Sequence, residues 1–334
     1  MPQLNLFQSP QSEKRRQNLK PSFMQLPGII DFEKFRPELQ KALAYKQNQD
    51  GRGRPPFDCV VMWKVIVLQA FYDCSDDQME FMLRDRRSFT EFVSLHPNSE
   101  VPDAKSIWLF KNKLTKASYL EPLFNEVLRQ IEAKGMIAQG GQIMDATILE
   151  SRKPRVVKNP EEIATLPPAK RSQTDADATF TKKHNKTYHG YKGHISIDVK
   201  NKIVRKLVVT TASTNDSQVF DQLLDSNNTK KEVHADSAYK SKENDAKLTD
   251  KCISNRIVRR AYKNRPLNNR SLRFNKTSAK VRCGIEHVFG AVKQWGRKIQ
   301  VRSIGISKAE FLIGLRFIVY NMQQLRRFHG LAAA

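Results

Sequence analysis

Apolar residues recur in this chain with two different periods, and the change falls near residue 141. Before it the spacing is helical. Residues 57–72 are almost wholly apolar, broken only by Asp58, Lys64 and Gln69, and predict a buried helix. In 119–134, Leu120, Leu123, Phe124, Val127, Leu128 and Ile131 fall on one side of a helix that Gly135 stops. Shorter helices are predicted between these two. Ser75 and Gln78 have capping-box spacing and open one that runs to about Arg84. Ser88 can cap a helix holding Phe89, Phe92 and Val93. Asp103 and Ser106 offer caps for a helix carrying Ile107, Trp108, Phe110 and Leu114. Ahead of them, 31–47 reads as a short amphipathic helix, separated by the Gly/Pro break QDGRGRPPF.

After residue 141 the apolar positions alternate. Strands are predicted at 142–149, 193–199, 203–211, 232–238 and 253–261, with Lys200-Asn201-Lys202 turning a hairpin. Helices are predicted at 215–225, 241–249, 280–298 and 308–326. The polar stretch 150–188 reads as an irregular basic connection, and 255–279 as a basic loop. In helix 280–298, Val281, Ile285, Val288, Val292 and Ile299 form an apolar stripe. This order suits an α/β domain, a mixed sheet with helices on both faces, and it is the order of the ribonuclease-H-like fold. The expected division is a polar segment 1–50, an all-α, helix-turn-helix-like unit 51–138 and an α/β unit 139–328.

Charge adds a partner to this picture. The chain has 334 residues, and 58 Lys+Arg against 34 Asp+Glu leave a net +24. So large an excess points to a polyanion. Four cysteines without CxxC or zinc spacing read as reduced thiols of an intracellular protein. No run reaches the length of a membrane span, the N-terminus has no apolar signal core, and no GxxxxGK[ST] loop for a nucleoside triphosphate is present. Among the cations, Lys105, Lys111 and Lys113 give the 103–116 helix a basic face that suits DNA, and a solvated face on a plain helical bundle fits equally well. Arg52 and Arg54 flank a glycine before Pro55 as in a minor-groove hook, and a stiff loop accounts for them as well.

Two acids interrupt the apolar strands. Asp145 lies mid-strand on the face of Ile143 and Thr147, and Asp236 shares a strand face with His234. A carboxylate so placed is costly unless it is paired or binds a metal. In helix 280–298, Arg282, Glu286 and Lys293 form a charged stripe beside the apolar one. Glu286 falls about 40° and Lys293 about 20° round from Arg282. Asp145, Asp236 and Glu286 can therefore converge on one point. Oxygen ligands alone select Mg²⁺ or Mn²⁺, and two such ions about 4 Å apart suit in-line phosphoryl displacement. Arg282 and Lys293 would hold phosphates beside the acids, and Lys192 with the basic 255–276 segment would follow the DNA backbone. Asp198 and Asp216 compete as acids, but Asp198 reads as turn chemistry and Asp216 as part of a helix cap. Isolated histidines, His184, His189 and His194 among them, lack metal-ligand spacing.

Several stretches together carry a family resemblance. GRPPF, SDDQMEFMLRDRRSFTEFVSL and VPDAKSIWLFKNKL precede IMDATILES, TKKHNKTYHGYKGHISIDV, HADSAY and VRCGIEHVFGAVKQWG. The chain resembles bacterial insertion-sequence transposases of the DDE type, in the group that includes the insertion-sequence-five family. The resemblance implies a metal-dependent enzyme that cuts DNA at the ends of a mobile element and joins the 3′-hydroxyl ends to a target. It places the family's three acids on Asp145, Asp236 and Glu286. It further implies terminal inverted repeats as DNA partner, a homo-oligomer, a dimer or larger, on DNA, and a cytoplasmic, nucleoid-associated bacterial protein. A catalytically inactive DNA-binding derivative and a plain nuclease of the same fold are the alternatives. The wider group carries a tyrosine one turn before the arginine of this helix. Here that position is Ala279.

Overall fold

A computed structural model describes residues 21–43, 55–96, 99–136, 140–152, 160–183, 185–225, 232–262, 266–294 and 300–332. Arg52, Arg54, His184, Ile299 and most of the 1–50 segment lie outside these residues.

From residue 21 to residue 136 the described chain forms helices only. Each start has a local cause. Asp58 accepts from the amides of Val60 and Val61 and so opens the apolar helix Cys59–Tyr72. Ser75 and Gln78 complete their reciprocal capping box ahead of Asp76–Asp85. Asp103 caps Ala104–Lys116 through the Ser106 amide. Ser88 does not act as a cap: the helix Arg87–Val93 begins one residue earlier, without a side-chain cap. The helix Leu120–Ala133 buries Leu123, Phe124, Val127 and Ile131, as its periodicity predicts.

The sheet is mixed. β1 (Gln142–Ser151) pairs antiparallel with β3 (Lys186–Asp198), which pairs antiparallel with β2 (Thr179–Lys183) and β4 (Val204–Thr211). On its other edge β1 runs parallel to β5 (Glu232–Ala235), and β5 to β6 (Ser254–Asn255). β7 (Gln300–Val301) pairs with the end of β1. Alternation along β1 sends Ile143 and Met144 into different cores. Ile143 joins Ile195, Ile197, Ile285 and Val288, whereas Met144 joins Phe220, Val233, Tyr239 and Leu248. Both faces of the sheet are thus covered. The Lys200-Asn201-Lys202 turn is present, closed by Asp198, which accepts from the amides of Asn201 and Ile203.

Three expectations change. First, 150–188 is not simply irregular. It holds two short helices, Pro160–Ala164 and Pro168–Arg171, then β2 and the start of β3, with Tyr191 donating to Asp175 at 2.7 Å. Second, the acid-bearing helix is Asn269–Gln294, so it starts before residue 280 and absorbs the end of the predicted 255–279 loop. Asn268 accepts from the Ser271 amide, Ser278 donates to the Arg256 carbonyl, and Arg259 lies over the Phe274 ring. Tertiary contacts thus outweigh the weak helix propensity of its Asn, Ser and Thr residues. Third, β5 and β6 are shorter than predicted. The last helix, Ile306–Ala332, crosses Leu120–Ala133 closely: a Cβ on Gly314 would meet Leu120 Cδ2 at 2.4 Å.

Candidate active site

Asp145 and Asp236 reach the same place by different routes. Asp145 is held within β1, on the face covered by Asn269–Gln294. Asp236 lies just beyond β5, where the chain leaves the sheet and not on a strand face as predicted. There it caps the turn Ser237–Tyr239 by accepting from the Ser237 amide at 2.6 Å. The parallel register matches Met144 with Ala235, so each acid is the next residue beyond the last β1–β5 pair, Asp145 still within β1 and Asp236 past the end of β5.

Arg282 joins them. Its Nη2 lies 3.5 Å from Asp145 Oδ2 and its Nη1 3.7 Å from Asp236 Oδ1, while its buried Nε has no hydrogen-bond partner among the described residues. The side chains of Arg282 and Asp145 are 19% and 22% exposed, so this pairing is shielded from bulk water. Burial raises the Asp145 pKa. The Ala146 amide and Arg282 oppose that rise, and Asp236 adds to it. The guanidinium therefore holds positive charge between two carboxylates that would otherwise repel.

The other sequence candidates are placed differently. Glu286 follows Arg282 by one turn and is exposed, and among the described residues no three His, Cys, Asp or Glu side chains are grouped to hold a metal. Asp145 and Asp236 alone supply a two-carboxylate oxygen set of the kind that hard divalent cations take. Lys293 and Lys105 are exposed on their helices, and Lys113 is half-buried. Lys111 is only 17% exposed and is 2.5 Å from Asp76. Lys192 is 3.0 Å from Asp216 and donates to the Thr214 carbonyl. The structure thus engages Lys111 and Lys192 internally, for a reason no linear spacing reveals: each faces an acid from a distant segment. Asp216 is correspondingly a pairing partner rather than a cap.

A polar network behind the acids escaped sequence reading. His194 is fully buried, with Nδ1 3.3 Å from Tyr239 Oη and Nε2 3.0 Å from Thr210 Oγ1. The Thr210 hydroxyl donates to the Thr211 carbonyl, so it accepts from His194 Nε2–H, and Nδ1 accepts from Tyr239. The only linear signal is Tyr239, three residues after Asp236. Burial lowers the His194 pKa to about 4; Asp216 opposes that shift and Lys192 adds to it. The unfolded chain therefore binds a proton near pH 6.5 that the folded chain refuses until about pH 4. Stability should fall by roughly 3 kcal/mol as pH drops through that window. His194→Gln should flatten part of this slope in thermal melts at pH 4–6.5, and an unchanged slope would remove His194 as its source. His234, also lowered chiefly by burial, adds to the slope with the same sign.

No helix among the described residues is long and apolar enough to cross a membrane. No solved structure matches the chain. Two family models do. One, described as a transposase DDE domain, matches residues 138–322 and spans β1, β5 and the acid-bearing helix. The other, described as a transposase domain, matches residues 12–113 and covers most of the helical region. The first match takes in more than half of the chain and contains both Asp145 and Asp236 with the arginine between them, and on these grounds the chain belongs to the DDE transposases.

Proposed function

We propose that this transposase cuts DNA at the ends of an insertion sequence and transfers the resulting 3′-hydroxyl ends into target DNA, using Asp145, Asp236 and Glu286. The observation that carries the reading is the pair of aspartates gathered around Arg282. Glu286 sits on the same helix one turn further on, at the edge of the apolar face that fastens this helix to the sheet. Asp145 and Asp236, with Glu286 as third ligand, would hold Mg²⁺ or Mn²⁺, two ions in this reading. When bound, such ions supply Lewis-acid stabilisation of the attacking and leaving oxygens. Arg282, whose Nε is unpartnered among the described residues, would turn to a DNA phosphate, with Lys293 as a second cation along the helix. Exposed Lys105 on Ala104–Lys116 would contact the duplex backbone.

Strand order and direction, β4-β3-β1 antiparallel and β1-β5-β6 parallel, support a ribonuclease-H-like catalytic unit over 139–328, preceded by an all-α recognition unit over 51–138. Two copies on paired ends would complete the assembly. The test uses labelled element ends, taken from inverted repeats flanking the gene, with Mg²⁺ and a target plasmid. Cleaved ends joined to plasmid are expected. Cleavage without joined product would make the chain a nuclease, and binding without cleavage would make it a DNA-binding derivative.

A further inference from the structure

A separate cleft, of about 390 Å³, with both apolar and charged residues in its lining, opens between the helical region and the start of Ile306–Ala332. It is distinct from the acid site. β7, on its wall, pairs with Glu150, five residues beyond Asp145 and about 17 Å further along β1. The lining includes Trp108, Arg302, Ser303, Lys308 and Arg316. Its two acids, Asp73 and Asp76, are already paired, the first with Arg316 and the second with Lys111 and Gln69. Arg302 and Lys308 are exposed and bring positive charge that these acids do not balance.

Among the described residues, two donors in the lining lack acceptors. Arg316 is 8% exposed, and one face of its guanidinium is held by Asp73, yet Nη1 has no hydrogen-bond partner. Buried Ser303 Oγ has none either. Leaving such groups unpaired is costly, and an incoming anion would satisfy both. Burial lowers the Arg316 pKa, and neighbouring Arg302 adds to that effect against Asp73, so the cations here lie close together. Beside them Trp108 keeps 52% of its surface exposed, although its helix neighbours Ile107 and Phe110 are buried. An indole face next to several cations and unsatisfied donors matches a flat aromatic ring that carries a phosphate. The volume lies within the usual range of small-ligand sites, about 300–1,000 Å³.

We infer that this cleft is a nucleotide-unit site, with the base stacked on Trp108 and the phosphate taken by Arg302, Lys308, Ser303 and the free edge of Arg316. The inference rests on the DNA-processing reading above, since a single-stranded DNA segment is the natural source of such a unit. A free mononucleotide offers the same chemistry.

The test measures binding of a labelled thymidine 12-mer, and of a duplex of equal length, to the full chain in EDTA. Trp108→Leu should weaken single-strand binding about tenfold relative to duplex binding. The double variant Arg302→Ser/Lys308→Ser should lower the slope of log affinity against log salt by about 1.4 for the single strand. Trp108 is half-exposed and the two cations are exposed, so these variants leave the core intact. Thymidine monophosphate identifies the source. Competition only at far higher concentration than the strand marks a strand site, and competition at similar concentration marks a free-nucleotide site. Single-strand affinity and slope unchanged in both variants would overturn the inference. So would loss of self-association in Trp108→Leu with unchanged strand binding, which would make the cleft a contact between copies. If duplex ends are still cut and joined while the variants bind single strands like the parent, only this site fails. If the parent binds no DNA in either form, the functional reading fails with it.

Discussion

Asp145→Asn, Asp236→Asn and Glu286→Gln should each reduce end cleavage and strand joining by at least about a thousandfold, or roughly 4 kcal/mol of transition-state stabilisation. Each change keeps shape and removes one negative charge, so duplex binding should survive while chemistry does not. Binding and turnover are therefore measured on the same preparations. The aspartate variants test the gathered pair directly. Glu286→Gln tests whether an exposed residue one turn from Arg282 enters the reaction. Wild-type joining by Glu286→Gln, with both aspartate variants dead, would leave a two-carboxylate site and remove Glu286 from the catalytic set. Activity in all three would refute the site itself.

Arg282→Ala should destabilise the metal-free protein by about 1–3 kcal/mol, because it leaves the shielded Asp145 beside Asp236 with no cation between them. The same variant should bind Mn²⁺ more tightly than the parent, since the guanidinium no longer shares the two carboxylates. Its melting temperature should accordingly rise more on adding Mn²⁺. Paired melts with and without Mn²⁺, alongside Asp145→Asn as a control, separate the two effects. An Arg282→Ala protein as stable as the parent, with unaltered Mn²⁺ affinity, would show that this ion pair carries no weight. Joining should also fall in the variant if Arg282 turns to DNA phosphate during the reaction, so a variant that is destabilised without metal, binds Mn²⁺ more tightly and is inactive is the full expected pattern.

Much of the fold could be read along the chain because its determinants are local. Ser75 and Asp103 cap the helices they precede, and Asp198 closes the turn it was expected to close. The apolar stripe of Ile285, Val288 and Val292 is buried as periodicity demands. Asp145 and Arg282 were legible as polar residues at the edge of buried faces, one by strand alternation and one by helical angle. Less legible was the start of the acid-bearing helix. Its first turns contain residues suited to loops, and the helix is held by Arg256 and Arg259 from another segment.

The sequence by itself determined the two periods of apolar residues, the caps and turns, the strongly basic balance and the positions of the acids, since each depends on neighbours within a few residues. Only the tertiary structure decided which charges meet. It set Arg282 between Asp145 and Asp236, tied Lys192 to Asp216 and Lys111 to Asp76, buried His194 against Tyr239, and left Arg316 with an unused donor beside Trp108. The physical reason is the same throughout. A charge's partner and its burial depend on segments tens to hundreds of residues away, and no periodicity along the chain encodes that distance.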